Sequence, residues 1–513
     1  MSDLSARLCA DEARGRAAVI MADSGAVLTF GELEDESNRI ARLFADRGLR
    51  PGDHVAVLMT NELAYFPVVW AAQRSGLFYT PVNWHLTTEE AAYIVGDCGA
   101  TVLVASAALA EAAAAIAESV PALHTCLIAG SRPSDEIPSG FEELATVTAY
   151  RSPEPRPEQT EGIYMFYSSG TTGRPKGIAV DLPQHPFGTG LPLDAMLSGL
   201  YGFGSDTVYL CPGPLYHAAP LGWSISTQRL GGTVVLMERF DAACALEAIN
   251  LYRVTHAQFV PAMFVRMLKL PRATRESFDM SSLRVVVHAG APCPIPVKEA
   301  MIEWWGPIIH EFYAGSEAVG FCAIDAPTWL RRKGSVGKAV IGVPHVLDEG
   351  GRALPPGEIG TLWFSGGTTF EYHNDPEKTA AAYDSAGRAT FGDMGYLDEE
   401  GFVYLVDRRT DLIISGGVNI YPKEAEDVLT LHPAVADVAV IGIPDENMGH
   451  QVKAVVELLD PDAASPALAD ELVEYCRARI AHFKCPRTVD FVTELPRLPS
   501  GKLLKRVVRE RYL

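Results

Sequence analysis

The chain has 513 residues, more than one hydrophobic core usually supports, and 48% of them are hydrophobic and 21% charged. A multi-domain globular protein with at least one large α/β portion is expected, and the composition is far from disordered or fibrous. A formal charge of −21 argues against broad nucleic-acid binding, which needs a dense Lys/Arg surface to displace counterions, but it leaves room for a local basic pocket around a small anion.

The N-terminal stretch MSDLSARLCADEARGRAAV has no basic region followed by an apolar run, and no later segment reaches about 18 uninterrupted apolar residues. Thr29 and Glu32 then have capping-box spacing, and the amphipathic run behind them stops at Arg47-Gly48, before the Pro51-Gly52 turn. A strand is expected over 54–59. Thr87 and Glu90 repeat the capping signature ahead of a helix ending near Gly99, and 101–105 reads as a buried strand. The alternation predicts stacked βα units. The Ala-rich stretch 107–117 reads as a helix, since Ala is the best helix former. From Gly130 to Gln159, Pro, Ser and Glu accumulate without apolar periodicity, so an exposed connection is expected there, leading into a strand over 162–166. The nine cysteines are scattered without a C-x-x-C pair, which fits reduced, mostly buried thiols and supplies no metal-site spacing. A soluble, cytoplasmic protein is expected.

The segment Tyr167-Ser-Ser-Gly-Thr-Thr-Gly-Arg-Pro-Lys-Gly177 follows a strand and gathers hydroxyls, glycines and one lysine. Glycines let backbone N–H groups approach an anion closely, hydroxyls donate further bonds, and Lys176 adds a full charge, so a triphosphate is a natural guest. The spacing is not that of a Walker loop. By composition alone the segment also reads as a flexible Gly/Ser loop. Downstream, Pro214-Leu-Tyr-His217, His288-Ala-Gly-Ala-Pro292, Tyr313-Ala-Gly-Ser-Glu317, Phe391-Gly-Asp393, Asp407-Arg-Arg-Thr-Asp411, Gly416-Gly417 and Pro499-Ser-Gly-Lys502 follow in turn. Taken singly each has a bland alternative: a core histidine for His217, a solvated carboxylate for Glu317, a turn residue for Asp393, a simple turn for Gly416-Gly417 and a surface charge for Lys502.

Together, in this order and over nearly the whole chain, these segments resemble the adenylate-forming superfamily, which includes acyl-CoA synthetases, luciferases and the adenylation domains of peptide synthetases. The resemblance implies a large N-terminal domain of stacked βα subdomains (1–408), a hinge (409–411) at Thr410, and a small mobile α+β C-terminal domain (412–513). It assigns ATP and AMP contacts to Ser168, Ser169, Gly170, Thr171, Thr172, Gly173, Gly290, Ala291, Pro292, Tyr313, Ser316, Asp393 and Arg408. Tyr313 would stack on adenine, Ser316 bond the α-phosphate and Asp393 accept from the ribose hydroxyls. Glu317, with Thr171, would hold Mg²⁺. Lys502, Glu317, His217 and Lys176 become the catalytic set, and Gly416, Gly417 and Lys484 the CoA contacts, Lys484 lying in a Lys-Cys-Pro-Arg stretch that is equally readable as solvated surface. Trp223, Phe259, Met263, Val319 and Phe321 are apolar candidates for the acyl pocket.

The chain departs from the family pattern at several places: Ala314 replaces a glycine, Ser316 a threonine, Thr410 an Asp or Lys at the hinge, and Ala179-Val-Asp-Leu-Pro-Gln-His185 stands where a Thr-His is expected after the loop. The implied reaction is ATP-dependent ligation of a carboxylic acid to CoA through acyl-AMP, with a bulky hydrophobic acid (fatty, aromatic or polycyclic) as substrate. A stand-alone adenylation enzyme loading a carrier-protein thiol is the second reading, and a non-catalytic nucleotide- or acid-binding protein on the same scaffold the third. Nothing in the sequence excludes a homodimer.

Overall fold

Two capping boxes start helices in the N-terminal part of the chain. Glu32 N donates to Thr29 Oγ1 at 3.2 Å and Thr29 N to Glu32 Oε2 at 2.8 Å, and Thr87 and Glu90 repeat the exchange at 3.3 and 3.0 Å. Each box satisfies amide groups that a helix N-terminus leaves open, so Phe30–Asp46 and Thr88–Asp97 begin where the sequence places them. The computed structural model describes residues 7–132, 135–168, 175–408, 411–415, 418–445, 448–497 and 503–512, with backbone alone at 407–408. They gather into two compact units, one of residues 1–259, 270–287 and 369–379, the other of 260–269, 288–368 and 380–513.

In the first unit a parallel sheet runs in the order Phe141–Glu143, Thr125–Ala129, Val102–Ser106, His54–Leu58, Phe78–Pro81, Ile163–Tyr164. Its central strands are largely apolar, as strands covered on both faces tend to be, and Leu103, Ile94 and Ile116 share one core cluster with Ile128. The described residues of 130–159 are mostly exposed or half-buried, as expected of a connection, but the stretch is not without secondary structure. It contributes the edge strand Phe141–Glu143 and the short helix Leu144–Thr148, whose Leu144 and Thr148 are buried. A three-residue strand is too short to display an alternation. A second sheet of this unit takes His256–Phe259, Val208–Cys211, Thr233–Leu236 and Ala17–Met21 in parallel and closes with antiparallel Val27–Thr29.

The second unit carries an antiparallel sheet in the order Val343–Leu347, Gly360–Ser365, Asp393–Leu397, Val403–Arg408, Ser335–Ile341, Phe321–Ile324, Ile309–Ala314. Its C-terminal part is α+β: the hairpin Ile413–Ser415 with Val418–Ile420, the paired strands Val435–Asp445 and Gly449–Leu458, parallel Thr488–Val492, and the helices Pro422–Leu429, Pro466–Arg477 and Lys505–Glu510. Leu429, Val440, Val456 and Leu472 form the core of that part. All nine cysteines are free thiols, and Cys244 is the exposed one. Among the described residues no helix is long and apolar enough to cross a membrane.

Candidate active site

The two ends of the Ser/Thr/Gly-rich segment pair with each other. Tyr167–Ser168 and Lys176–Ala179 are antiparallel, with Ser168 opposite Lys176 and Tyr167 opposite Gly177, so these ends are the paired strands of a hairpin. On its other side Lys176–Ala179 pairs with Glu371–Tyr372, and the Lys176 ammonium lies 4.8 Å from the centre of the Tyr372 ring, a cation–π contact that holds the side chain at the hairpin base. Gly177 has no room for a side chain: a Cβ would lie 2.8 Å from the Tyr167 ring and 3.0 Å from His373. Ser169, Gly170, Thr171, Thr172 and Gly173 lie outside the described residues.

His217 is the N-cap residue of the helix Ala218–Arg229, its ring 4.6 Å from that of Tyr216. The loop before it is held from below by a residue that carries no motif. Buried Asn61 donates to Gly213 O (3.1 Å) and Met237 O (2.8 Å) and accepts from Leu215 N (2.9 Å), while the Tyr65 hydroxyl donates to Leu215 O at 3.3 Å. An asparagine amide can serve three backbone groups at once, which makes Asn61 the brace of the histidine loop.

Tyr313 and Asp393 meet in the second unit. The tyrosine hydroxyl donates to Asp393 Oδ2 at 2.6 Å, and the Phe391 ring stands edge-on to Tyr313 at 5.6 Å and 86°. Asp393 opens the strand Asp393–Leu397, directly opposite Arg408, the last residue of Val403–Arg408. Gly392, at φ +81°, makes the turn that delivers it. Beyond Tyr313 the chain turns tightly through Gly315 to Ala318, which holds φ +55° with its N–H on Gly315 O. A Cβ on Gly315 would lie 2.4 Å from the Phe391 ring and 2.6 Å from Glu317 Oε2, so this glycine is what lets the Glu317 carboxylate and the Phe391 ring close against the turn. Ser316 is exposed and Glu317 half-buried. Among the described residues no group of three or more His, Cys, Asp or Glu could hold a metal ion. A lone carboxylate fits the habit of Mg²⁺, which keeps its waters and binds mainly through substrate phosphates.

The loop Gly290, Ala291 and Pro292 is exposed, with Gly290 at φ +83°, so its backbone is open to a ligand. Under it lies a network that motif spacing does not reveal. Lys298, 0% exposed, donates to Glu311 Oε2 at 2.6 Å, and the fully buried His288 has its Nε2 3.5 Å from the same oxygen. Burial, reinforced by the Lys298 ammonium, holds His288 neutral, far below its ordinary range. Burial also raises Glu311 despite Lys298. Glu311 lies on the strand that ends with Tyr313 and Ala314, and His288 immediately precedes the 289–292 loop. The triad therefore fixes both loops to one point.

The apolar candidates are all closed in. Trp223, 2% exposed, sits among the rings of Tyr201, Phe203 and Tyr209 at 5.5, 5.7 and 6.2 Å, and Phe259 is likewise buried. In the second unit Met263 and Val319 are buried and Phe321 stacks on Phe312 at 5.1 Å. Lys484 is paired with Glu424 at 2.5 Å. Thr410, Gly416, Gly417 and Lys502 lie outside the described residues, as does the side chain of Arg408.

A mixed α/β chain with this hairpin, followed by a tyrosine–aspartate pair and a small α+β end, has the build of an adenylate-forming enzyme. The AMP-binding enzyme family matches residues 7–372 and the AMP-binding enzyme C-terminal domain matches 424–502; the chain belongs to this family, that of the AMP-forming acyl-CoA synthetases. It is 33% identical to feruloyl-CoA synthase of Amycolatopsis over 95% of this chain and 94% of that one. It is equally 33% identical to the fatty acid–[acyl-carrier-protein] ligase ScoC of Streptomyces coeruleorubidus, over 95% and 92%. Among solved structures, ATP-bound MatB from Rhodopseudomonas palustris is similar with a TM-score of 0.81 at 29% identity, covering 99% of this chain and 98% of that one.

Proposed function

We propose that this chain joins a bulky hydrophobic acid, fatty or aromatic, to CoA in two steps, acid and ATP giving acyl-AMP and pyrophosphate, then CoA giving acyl-CoA and AMP. A carboxylate resists attack because it is anionic and its leaving group would be oxide. Its own attack on the α-phosphorus of ATP converts that oxygen into part of a mixed anhydride, from which AMP departs readily. Two anions must meet for this, so the task of the protein is mostly electrostatic.

The observation that carries the reading is the Tyr313–Asp393 hydrogen bond, with Asp393 in register with Arg408. Residues assigned separately to adenine, ribose and phosphate lie side by side, as one nucleotide requires. MgATP is the substrate form, with Glu317 offering a hard oxygen to the ion it brings and Lys176 neutralising the departing pyrophosphate. Lys502 bridges acid and α-phosphate, and a rotation about Thr410 replaces it with the Gly416-Gly417 backbone, along which the thin pantetheine arm of CoA reaches the acyl carbonyl. His217 borders the acid, and the walls at Trp223, Phe259, Met263, Val319 and Phe321 supply no basic group for a second carboxylate. The free cysteines support a reducing, cytoplasmic setting.

Acid-dependent pyrophosphate–ATP exchange tests the first step, and AMP release across a panel of acids, with and without CoA, tests the second and names the acid. Exchange with fatty or aromatic acids and its stimulation by CoA are expected; preference for acetate or free amino acids would refute the pocket reading. The likeness to ScoC favours one second reading, a carrier-protein thiol as acceptor. In that case free CoA leaves AMP formation unchanged.

A further inference from the structure

Asp97 ends the helix Thr88–Asp97, where a carboxylate opposes the helix dipole and gains nothing locally. Distant segments converge on it instead. The Tyr167 hydroxyl donates to Asp97 Oδ2 at 2.6 Å. The Asn374 amide donates to its carbonyl oxygen at 3.2 Å and to Oδ1 at 3.4 Å, and His373 Nε2 lies 3.0 Å from the same carbonyl. Asn374 holds φ +56°, a left-handed conformation that asparagine tolerates better than most residues. Tyr167 and His373 are also the two residues between which Gly177 is clasped, and His373 N donates to Gly177 O at 2.8 Å. Asp97 thus grips one strand of the hairpin directly through its carboxylate and, chiefly through its main-chain carbonyl with a longer carboxylate contact to Asn374, holds the 373–374 turn that clasps the other.

We propose that Asp97 is a positioning residue for ATP. Through Tyr167 and the His373–Asn374 turn it sets the spacing and tilt of the hairpin strands, and with them the placement of Lys176, one residue from Gly177. This rests on reading 167–177 as the phosphate hairpin. Asp97 touches no reacting atom, so its loss acts on nucleotide binding ahead of acid binding.

The test uses the full chain, with pyrophosphate–ATP exchange read as separate KM values for MgATP and for the acid, alongside Tm. Tyr167→Phe removes one hydroxyl and is expected to raise the MgATP KM about tenfold, the scale of one hydrogen bond to a charged group, with the acid KM little changed. Asp97→Ala does at least as much. The double variant is no worse than Asp97→Ala alone, because both changes delete one contact. Asp97→Asn, whose side-chain carbonyl still accepts from Tyr167, stays near the parent. An unchanged MgATP KM, an equal rise in the acid KM, or additive effects in the double variant would overturn the assignment. Should Asp97→Ala not fold, Tyr167→Phe and Asp97→Asn carry the comparison. Lys176→Ala is the reference: if it weakens MgATP while the Asp97 and Tyr167 variants do not, the assignment of Asp97 falls alone. If Lys176→Ala also leaves MgATP unchanged, the phosphate-hairpin reading falls with it.

Discussion

Lys298 is fully buried and donates to Glu311 at 2.6 Å, so removing either partner strands the other away from water. Lys298→Met is expected to cost about 3–5 kcal/mol, the usual price of one uncompensated buried charge, and urea unfolding measures it. The residual carboxyl should then stay protonated in the folded state. Its folded pKa lies above the unfolded one, so the stability it contributes is present below the ordinary carboxylate range and is lost as pH rises through the folded value. Adding Glu311→Gln is expected to return part of the loss and flatten that slope. A Lys298→Met variant as stable as the parent at all pH would contradict the triad. At this scale the sequence is legible only where local chemistry speaks. The capping Thr29 and Thr87 announce themselves through a glutamate three residues on. Asn61, Asp97 and Lys298 look like ordinary polar residues, because their partners lie 154, 70 and 13 residues away and no spacing rule connects them.

Among elements, the strand His54–Leu58 carries the clearest titration. Burial, and secondarily His373, holds His54 down at about 4, from an ordinary 6.5, with its ring stacked on Phe78 at 4.7 Å. Between those values the unfolded chain binds the extra proton, so stability is complete above about pH 6.5 and declines as pH falls towards 4. Buried His288 adds to this with the same sign. Urea midpoints between pH 4 and 7 should show the decline, and His54→Phe should reduce its slope; an unchanged slope would assign the effect elsewhere. The parallel strands were readable because full burial leaves largely apolar runs. The strand Phe141–Glu143 was not, since its pairing with Thr125–Ala129 is a tertiary fact. The same holds for the Asp393–Arg408 register, which family resemblance implied only as separate contacts.

For the whole molecule, the two half-reactions proposed here need the small C-terminal domain in two orientations. A crosslink that fixes this domain is expected to leave one half-reaction near its parental rate and abolish the other, measured as pyrophosphate exchange against acyl transfer from supplied acyl-AMP to CoA. Loss of both, or of neither, would sink the alternation. A large N-terminal domain followed by a small C-terminal one was legible from the family resemblance, and the identity of the acid was not. Pocket shape depends on how buried rings such as Trp223 and Phe321 pack, and hydrophobicity alone does not encode that.

The distribution of thiols bears on how such motion can be watched. Of nine free cysteines Cys244 is exposed, on the helix Ala242–Tyr252 of the first unit, and partial burial with the neighbouring Asp241 carboxylate raises its thiol above the usual range. Its exposure should let a maleimide dye find this native position first, and the raised thiol calls for mildly alkaline pH to supply the thiolate. One engineered surface cysteine in the small domain would complete a fluorescence pair, so the cycle can be followed in single molecules without stripping the protein of its buried thiols.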